Sequence, residues 1–228
     1  MQVNCAMPVA RCLKNKDMHL MPTTGKQLIF ELVFGESWSR LPPVLQKYFA
    51  HRSHTNDTVT MQGTAQFKAS GRAKWLAPFM RIAGMPLMHT AENVPASVQI
   101  ASVPTKHAVA FHHQFEFPNG KKPLIFLAEL EPQGLHNLIF WTKDDTGWRT
   151  EMTYDSKRIN MNFGGYCGRL FGKIFRLPVA GLIGECTAWL EPIDSNSLSL
   201  CVEMRRRNGS LFYAYNAQFT ISGVMRRD

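Results

Sequence analysis

Thr58-Val59-Thr60-Met61-Gln62-Gly63-Thr64-Ala65-Gln66-Phe67-Lys68-Ala69 is the stretch whose reading decides the fold. Val59, Met61, Gly63, Ala65, Phe67 and Ala69 alternate with Thr58, Thr60, Gln62, Thr64, Gln66 and Lys68. Successive side chains of a strand point to opposite faces, so this pattern predicts a long strand with one face buried and one in water. Working outward toward the C-terminus, the same period returns. Strands are predicted near 94–103, 108–117, 123–131, 137–143, 148–154, 158–163, 185–192, 198–206 and 210–221. Turn signals separate them: Pro118-Asn119-Gly120, Gln133-Gly134, Asp144-Asp145-Thr146-Gly147, Asp194-Ser195-Asn196 and Asn208-Gly209. Strands at hairpin spacing pair antiparallel. A sheet of about ten strands relieves its edges by curling, so the expectation is a mainly β domain, an antiparallel barrel or half-barrel with two or three flanking helices.

On the N-terminal side the period changes. In Leu41-Pro42-Pro43-Val44-Leu45-Gln46-Lys47-Tyr48-Phe49 the prolines suit the first turn of a helix. Val44, Leu45, Tyr48 and Phe49 then form one apolar face. The run 27–34 (QLIFELVF) is short and apolar and reads equally as helix or strand. Residues 1–26 are expected to be a poorly ordered extension, 27–223 the single domain, and 224–228 a basic tail. Two further helical segments are expected, at 71–84 with a bend at Pro78, and as a helical or loop insertion at 166–183.

Hydrophobic residues make up 45% of the 228 and charged residues 19%, which excludes disorder and allows a sizeable core. No apolar run is long enough for a spanning helix. Cys5, Cys12, Cys167, Cys186 and Cys201 form no Cys-x-x-Cys pair, so neither a zinc ribbon nor a dense disulfide scaffold is expected. Unpaired cysteines and the lack of an apolar leader predict a cytoplasmic protein, or one peripheral to the inner face of the membrane. Lys plus Arg is 26 and Asp plus Glu 17, a net charge of +9. No helix-turn-helix, zinc-finger or RNP signature accompanies that charge, so nucleic acid is not the expected partner. The excess concentrates in two windows without any acid: 58–91, with Lys68, Arg72, Lys74 and Arg81, and 156–184, with Lys157, Arg158, Arg169, Lys173 and Arg176. The helical segments expected within them, 71–84 and 166–183, carry Arg72, Lys74 and Arg81 beside Trp75, Leu76 and Phe79, and Arg169, Lys173 and Arg176 at i, i+4, i+7 opposite Leu170, Phe171, Ile174 and Phe175. Such helices lie on anionic membranes or cap an apolar cavity.

Candidate site residues follow from the strand period. Val109, Phe111, His113, Phe115 and Phe117 share a face. So do Leu211, Tyr213, Tyr215, Ala217, Phe219 and Ile221, and likewise Trp148, Thr150, Met152 and Tyr154. Phe111, His113, Phe115, Trp148, Met152, Tyr213 and Tyr215 are therefore expected to line the concavity, with Arg169 and Lys173 at its mouth. The expected function is binding of an apolar or amphipathic small molecule or lipid, which an acidic head would make complementary to those cations. The alternatives are a cofactor-independent enzyme of the cyclase or isomerase type, in which His113 and Tyr213 are the catalytic groups, and a peripheral protein of an anionic membrane surface. His112 and His113 point to opposite faces and cannot share one ion, and His51 and His54, at i, i+3, sit where the helix ends with no carboxylate or Cys at ligand spacing, so neither a metal nor a cofactor is expected.

The segment Leu41 to Phe49, together with Phe111-His112-His113-Gln114-Phe115-Glu116-Phe117-Pro118, Gly147-Trp148-Arg149 and Gly165-Tyr166-Cys167-Gly168-Arg169-Leu170-Phe171-Gly172, resembles the bacterial family catalogued as domain of unknown function forty-one sixty-six, over about 41–221. The resemblance implies a domain boundary and no chemistry. Members of that family are sometimes attached to a nucleotide-binding oxidoreductase domain; here no Gly-x-Gly-x-x-Gly follows a strand.

Overall fold

A computed structural model describes residues 27–82, 90–117, 123–142 and 145–227. The expected extension 1–26, the turn 118–120 and the end of the expected helix at 83–84 lie outside the described residues. The alternation of 58–69 is borne out as β1 (Thr58–Ala69), with Val59, Met61, Ala65 and Phe67 buried. Gly63 occupies the remaining slot because a Cβ there would stand 1.8 Å from the Gln218 carbonyl oxygen. β2 (Ala91–Ser102), β3 (Val109–Phe115), β4 (Leu124–Gly134), β5 (Asn137–Trp141), β6 (Thr146–Tyr154) and β7 (Ile159–Leu170) follow as an antiparallel meander. β9 (Glu185–Pro192), β10 (Ser197–Arg205) and β11 (Leu211–Met225) complete it, and β1 pairs with β11 from Thr58↔Met225 to Ala69↔Tyr213. The result is a closed ten-stranded antiparallel barrel with four mostly short helices beside it. Closure removes the open edges except where β7 and β9 part.

One seam is short. β7 meets β9 only at Ile159↔Leu190, Asn160↔Trp189 and Met161↔Ala188. Its second half turns outward and pairs with an eleventh strand, β8 (Lys173–Arg176), which is not in the ring. This corrects the expected helical insertion at 166–183. A short run of apolar residues with intervening cations fits both periods. Here strand geometry wins: β7 continues to Leu170, and a two-residue turn at Phe171-Gly172 returns the chain. Only Ala180–Ile183 is helical in that segment.

The ends of the barrel differ. At the end where β1 begins, α1 (Ile29–Phe34), a 3-10 turn (Gly35–Arg40) and α2 (Pro43–Phe49) fill the lumen. The open question over 27–34 resolves as helix, with Ile29, Phe30, Val33 and Phe34 buried. α2 is the helix that its prolines and apolar face predict, with Val44, Leu45, Tyr48 and Phe49 inside. Phe30 and Phe34 pack on Phe49 at ring-centroid distances of 4.6 and 5.4 Å. Each buried phenylalanine contributes about 2 kcal/mol. A backbone bond pins the plug to the barrel: His136 N donates to Val33 O at 2.9 Å. At the other end α3 (Gly71–Ile82) follows β1, with Pro78 inside it. It buries Ala73 and Leu76 but leaves Trp75 exposed. α4 (Ala180–Ile183) precedes β9 at the same end.

Candidate functional site

Inward-facing side chains of the strands enclose a cavity above α2. Its floor is Tyr48 and Phe49, and its wall is built from Phe67 on β1, Phe111, His113 and Phe115 on β3, Phe126 and Leu130 on β4, and Phe140 on β5. Trp148 and Thr150 of β6, Met161 of β7, Cys186 and Ala188 of β9, Leu200, Val202 and Met204 of β10 and Tyr213 and Tyr215 of β11 close it. The empty volume between these side chains is about 1090 Å³ with adjoining solvent included.

Pairs of facing strands bring the rings together because the side-chain period is two on every strand. Phe140 stacks on Trp148 at 4.5 Å, and Phe126 lies parallel to Phe140 at 6.3 Å. His113 stands between Phe126 and Phe115, at 5.8 and 6.0 Å. Tyr215 stacks on Phe67 at 5.2 Å and meets Phe115 edge-on at 5.5 Å. These contacts form an aromatic arc from Trp148 round to Phe67.

No acidic, lysine or arginine side chain lines the cavity among the described residues. Its polar character comes from a few atoms. Thr150 Oγ1 is already committed, donating to Asn162 O at 3.0 Å. His113 Nδ1 and the hydroxyls of Tyr213 and Tyr215 are buried without a hydrogen-bond partner among the described residues. Burial, and then the neighbouring His112, lower the His113 pKa to about 4, so its ring is neutral at pH 7. Burial pushes the Tyr213 and Tyr215 hydroxyls well above the usual phenol range and keeps them protonated. An unpaired buried polar group costs about 1–3 kcal/mol, so three on one wall are a standing penalty that a hydrogen-bonding guest removes.

Of the residues expected at the site, Phe111, His113, Phe115, Trp148, Tyr213 and Tyr215 are brought together. Met152 shares their face but lies deeper; it is fully buried, and its backbone N–H donates to His136 O beside the plug, at 2.7 Å. Arg169 and Lys173 belong to the β7–β8 hairpin instead of a helix at the mouth. Arg169 is on the outer face, two residues from Cys167, which packs there with Ile139 and Trp141. Its Nη2 donates to Glu131 Oε2 at 2.6 Å, and its guanidinium lies 4.1 Å from the Trp141 ring centroid. Burial works against the Glu131 carboxylate, but bonds from Arg169 and Trp141 outweigh it and hold its carboxyl below the usual range. Lys173 is exposed on β8.

Sequence reading missed the floor. Tyr48 and Phe49 were visible as an apolar helical face, but nothing local says that this face enters the lumen. Phe126 and Phe140 carry the period-two signal and could have been found from it. His112 faces outward, as the alternation predicts, beside Gln62, Gln99 and Gln114.

A family model described as "Domain of unknown function (DUF4166)" matches residues 41–219. Among solved structures, the chain is similar to the crystal structure of Rv2717c from M. tuberculosis. The identity is 17% and the TM-score 0.43, with 80% of this chain and 99% of that one covered. It is also similar to the dehydratase domain of the polyketide PpsC from Mycobacterium tuberculosis, at 7% identity and TM-score 0.17, covering 83% and 84%. No curated protein matches it.

Proposed function

The chain belongs to the DUF4166 family, a membership that carries no activity, and from the barrel itself we propose that it binds an apolar or amphipathic small molecule in the lumen. The β-barrel fold is compatible with housing a small hydrophobic molecule. The observation that carries the reading is the uncharged aromatic arc in which, among the described residues, His113 Nδ1 and the Tyr213 and Tyr215 hydroxyls are buried without a hydrogen-bond partner. Flat or extended apolar ligands suit such a wall, because aromatic faces pack best offset or edge-on. A carbonyl or hydroxyl on the ligand satisfies the three orphan groups. An acidic head does not belong inside: a charge among uncharged walls would carry an unpaid desolvation cost, so it stays at the mouth.

The enzyme reading, with His113 and Tyr213 as a proton-transferring pair, is the weaker one. Useful acid–base groups titrate near the working pH. Here His113 is moved down to about 4 and Tyr213 up, both away from neutrality.

Fluorescence titration with Nile red, a neutral apolar probe, tests the proposal. Saturable one-site binding is expected in the unaltered chain. Ala188→Phe fills the lumen with a ring at a tolerable cost of about 1–3 kcal/mol, and is expected to weaken binding at least tenfold while thermal unfolding stays cooperative. Equal affinity in both proteins, or binding that never saturates, overturns the assignment.

A further inference from the structure

The barrel's open end carries exposed apolar side chains on separate projections. Thr146, the first residue of β6, pairs with Gly168, so Arg169 and Leu170 run on past the rim, and the β7–β8 turn stands beyond it. At its tip Phe171 has φ +50° and Gly172 φ +75°. Positive φ at both central residues is the two-residue I′ hairpin geometry, which favours Asn or Gly at the first position. Phe171 sits there instead, 94% exposed, flanked by the exposed Leu170. Leu182 of α4, which follows the hairpin in sequence, is also exposed. Across the mouth, reached from β7 through β9, β10 and β11 to β1, α3 holds up Trp75, 76% exposed.

Phe171 is therefore unfavourable twice: a bulky residue in left-handed backbone, and an aromatic ring in water. Strain of that kind at an exposed tip points to a use that the isolated molecule does not show. Charge names the partner. Lys173 and Arg176 are exposed on β8, and Arg72 and Lys74 are exposed on α3. The two elements themselves hold no acid; the exposed carboxylates of that end, Glu92, Glu116, Asp145 and Glu185, lie on other segments. Arg169 takes no part, being committed to Glu131. Separate convex tips offer no groove for a protein segment. They do match a soft surface that receives single side chains, with cations placed beside aromatic rings.

We propose that the open end of the barrel docks on an anionic lipid bilayer, Phe171 and Trp75 entering the headgroup region on either side of the mouth and Lys173, Arg176, Arg72 and Lys74 meeting lipid phosphates and carboxylates. Docking requires no ligand in the cavity.

Co-sedimentation of the full chain with vesicles of pure phosphatidylcholine, and of phosphatidylcholine mixed equally with phosphatidylserine, tests this. Binding is expected to the anionic vesicles only, and to fall as salt is raised. Phe171→Asn suits the turn and keeps the fold; it should weaken partitioning several-fold. Lys173→Glu and Arg176→Glu should each weaken it by about fivefold or more. Circular dichroism confirms folding of each variant, and Trp75→Ala provides a second apolar variant on the other side of the mouth. Absence of binding to anionic vesicles, equal binding to both compositions, or wild-type binding by all the variants overturns the proposal.

Discussion

The two ends of the barrel are made by the same ten strands and could hardly be more different. At the plugged end Ile29, Phe30, Val33 and Phe49 are at most 1% exposed, and Asp57, 0% exposed, gathers the chain's distant parts. It accepts from Arg52 Nε at 2.9 Å, from Arg52 Nη2 at 2.9 Å and from the backbone N–H of Arg227 at 3.1 Å. At the open end Trp75 and Phe171 stand in water. The strands therefore do not decide where stability lies; the segments outside them do. A chain that concentrates its packing in one plug buries less among the described residues of the other end, and regions with little burial are those that open cheaply.

The sharpest way to break that contrast is to remove the plug. Phe49→Ala deletes the ring on which Phe30, Phe34 and Tyr48 converge, and should cost about 3–5 kcal/mol in urea unfolding. It also removes half the cavity floor, so probe affinity should fall too. A loss below about 1 kcal/mol would mean that the barrel stands without its plug.

Acid provides the next test. His51 at the plugged end and His113 in the cavity wall both have pKa values lowered to about 4, with burial as the largest cause in each. The unfolded chain takes up these protons first, as pH falls below about 6.5, so stability declines from there and the loss is complete once pH is below about 4. Each histidine is worth about 3 kcal/mol over that window. Asp57 adds a lower step. Burial pushes its carboxyl up, but the bonds from Arg52 and Arg227 prevail and hold it at about 2. Its contribution, about 2 kcal/mol, is present above the ordinary aspartate value and lost as pH falls through 2. NMR titration separates the ends: both histidines should titrate near 4. If His113 titrated near 6.5 while His51 did not, water would reach the wall from the open end. His113→Leu should flatten the upper part of the stability profile, and Asp57→Asn the lower.

How far these features were legible varies with the range of the interaction that sets them. β1 was plain because every inward slot from Val59 to Phe67 carries the alternation, and the meander followed from turns such as Asn208-Gly209. Six cavity residues followed from the same period, since a strand's face is a local property. The floor was not legible, because where the face of Tyr48 and Phe49 docks depends on contacts across the whole chain. Arg169 was misplaced for another reason. Its spacing to Lys173 and Arg176 fits a helix as well as it fits two arms of a hairpin, and the deciding contacts, Glu131 and Trp141, lie on β4 and β5, far away in sequence. The +9 charge pointed toward the open end but could not show that Arg169 is already paired.

The smallest expected effect is the one that most directly tests whether the open end is built for stability at all. In Phe171→Asn the new side chain tolerates left-handed backbone, where a bulky residue costs about 1–2 kcal/mol, and no core contact is lost because the ring is 94% exposed. Stability should therefore stay level or rise by up to about 1 kcal/mol in urea unfolding, while Trp75→Ala should change it by no more than about 0.5 kcal/mol. A residue kept for folding would show the opposite sign. If Phe171→Asn destabilised the chain by more than about 1 kcal/mol, the tip would be packing on the barrel in solution, and the two ends would share the burden of stability after all. If it is neutral or better, as the backbone geometry requires, a phenylalanine that costs energy at the rim has its explanation outside the folded chain, while Phe49 has its own within it.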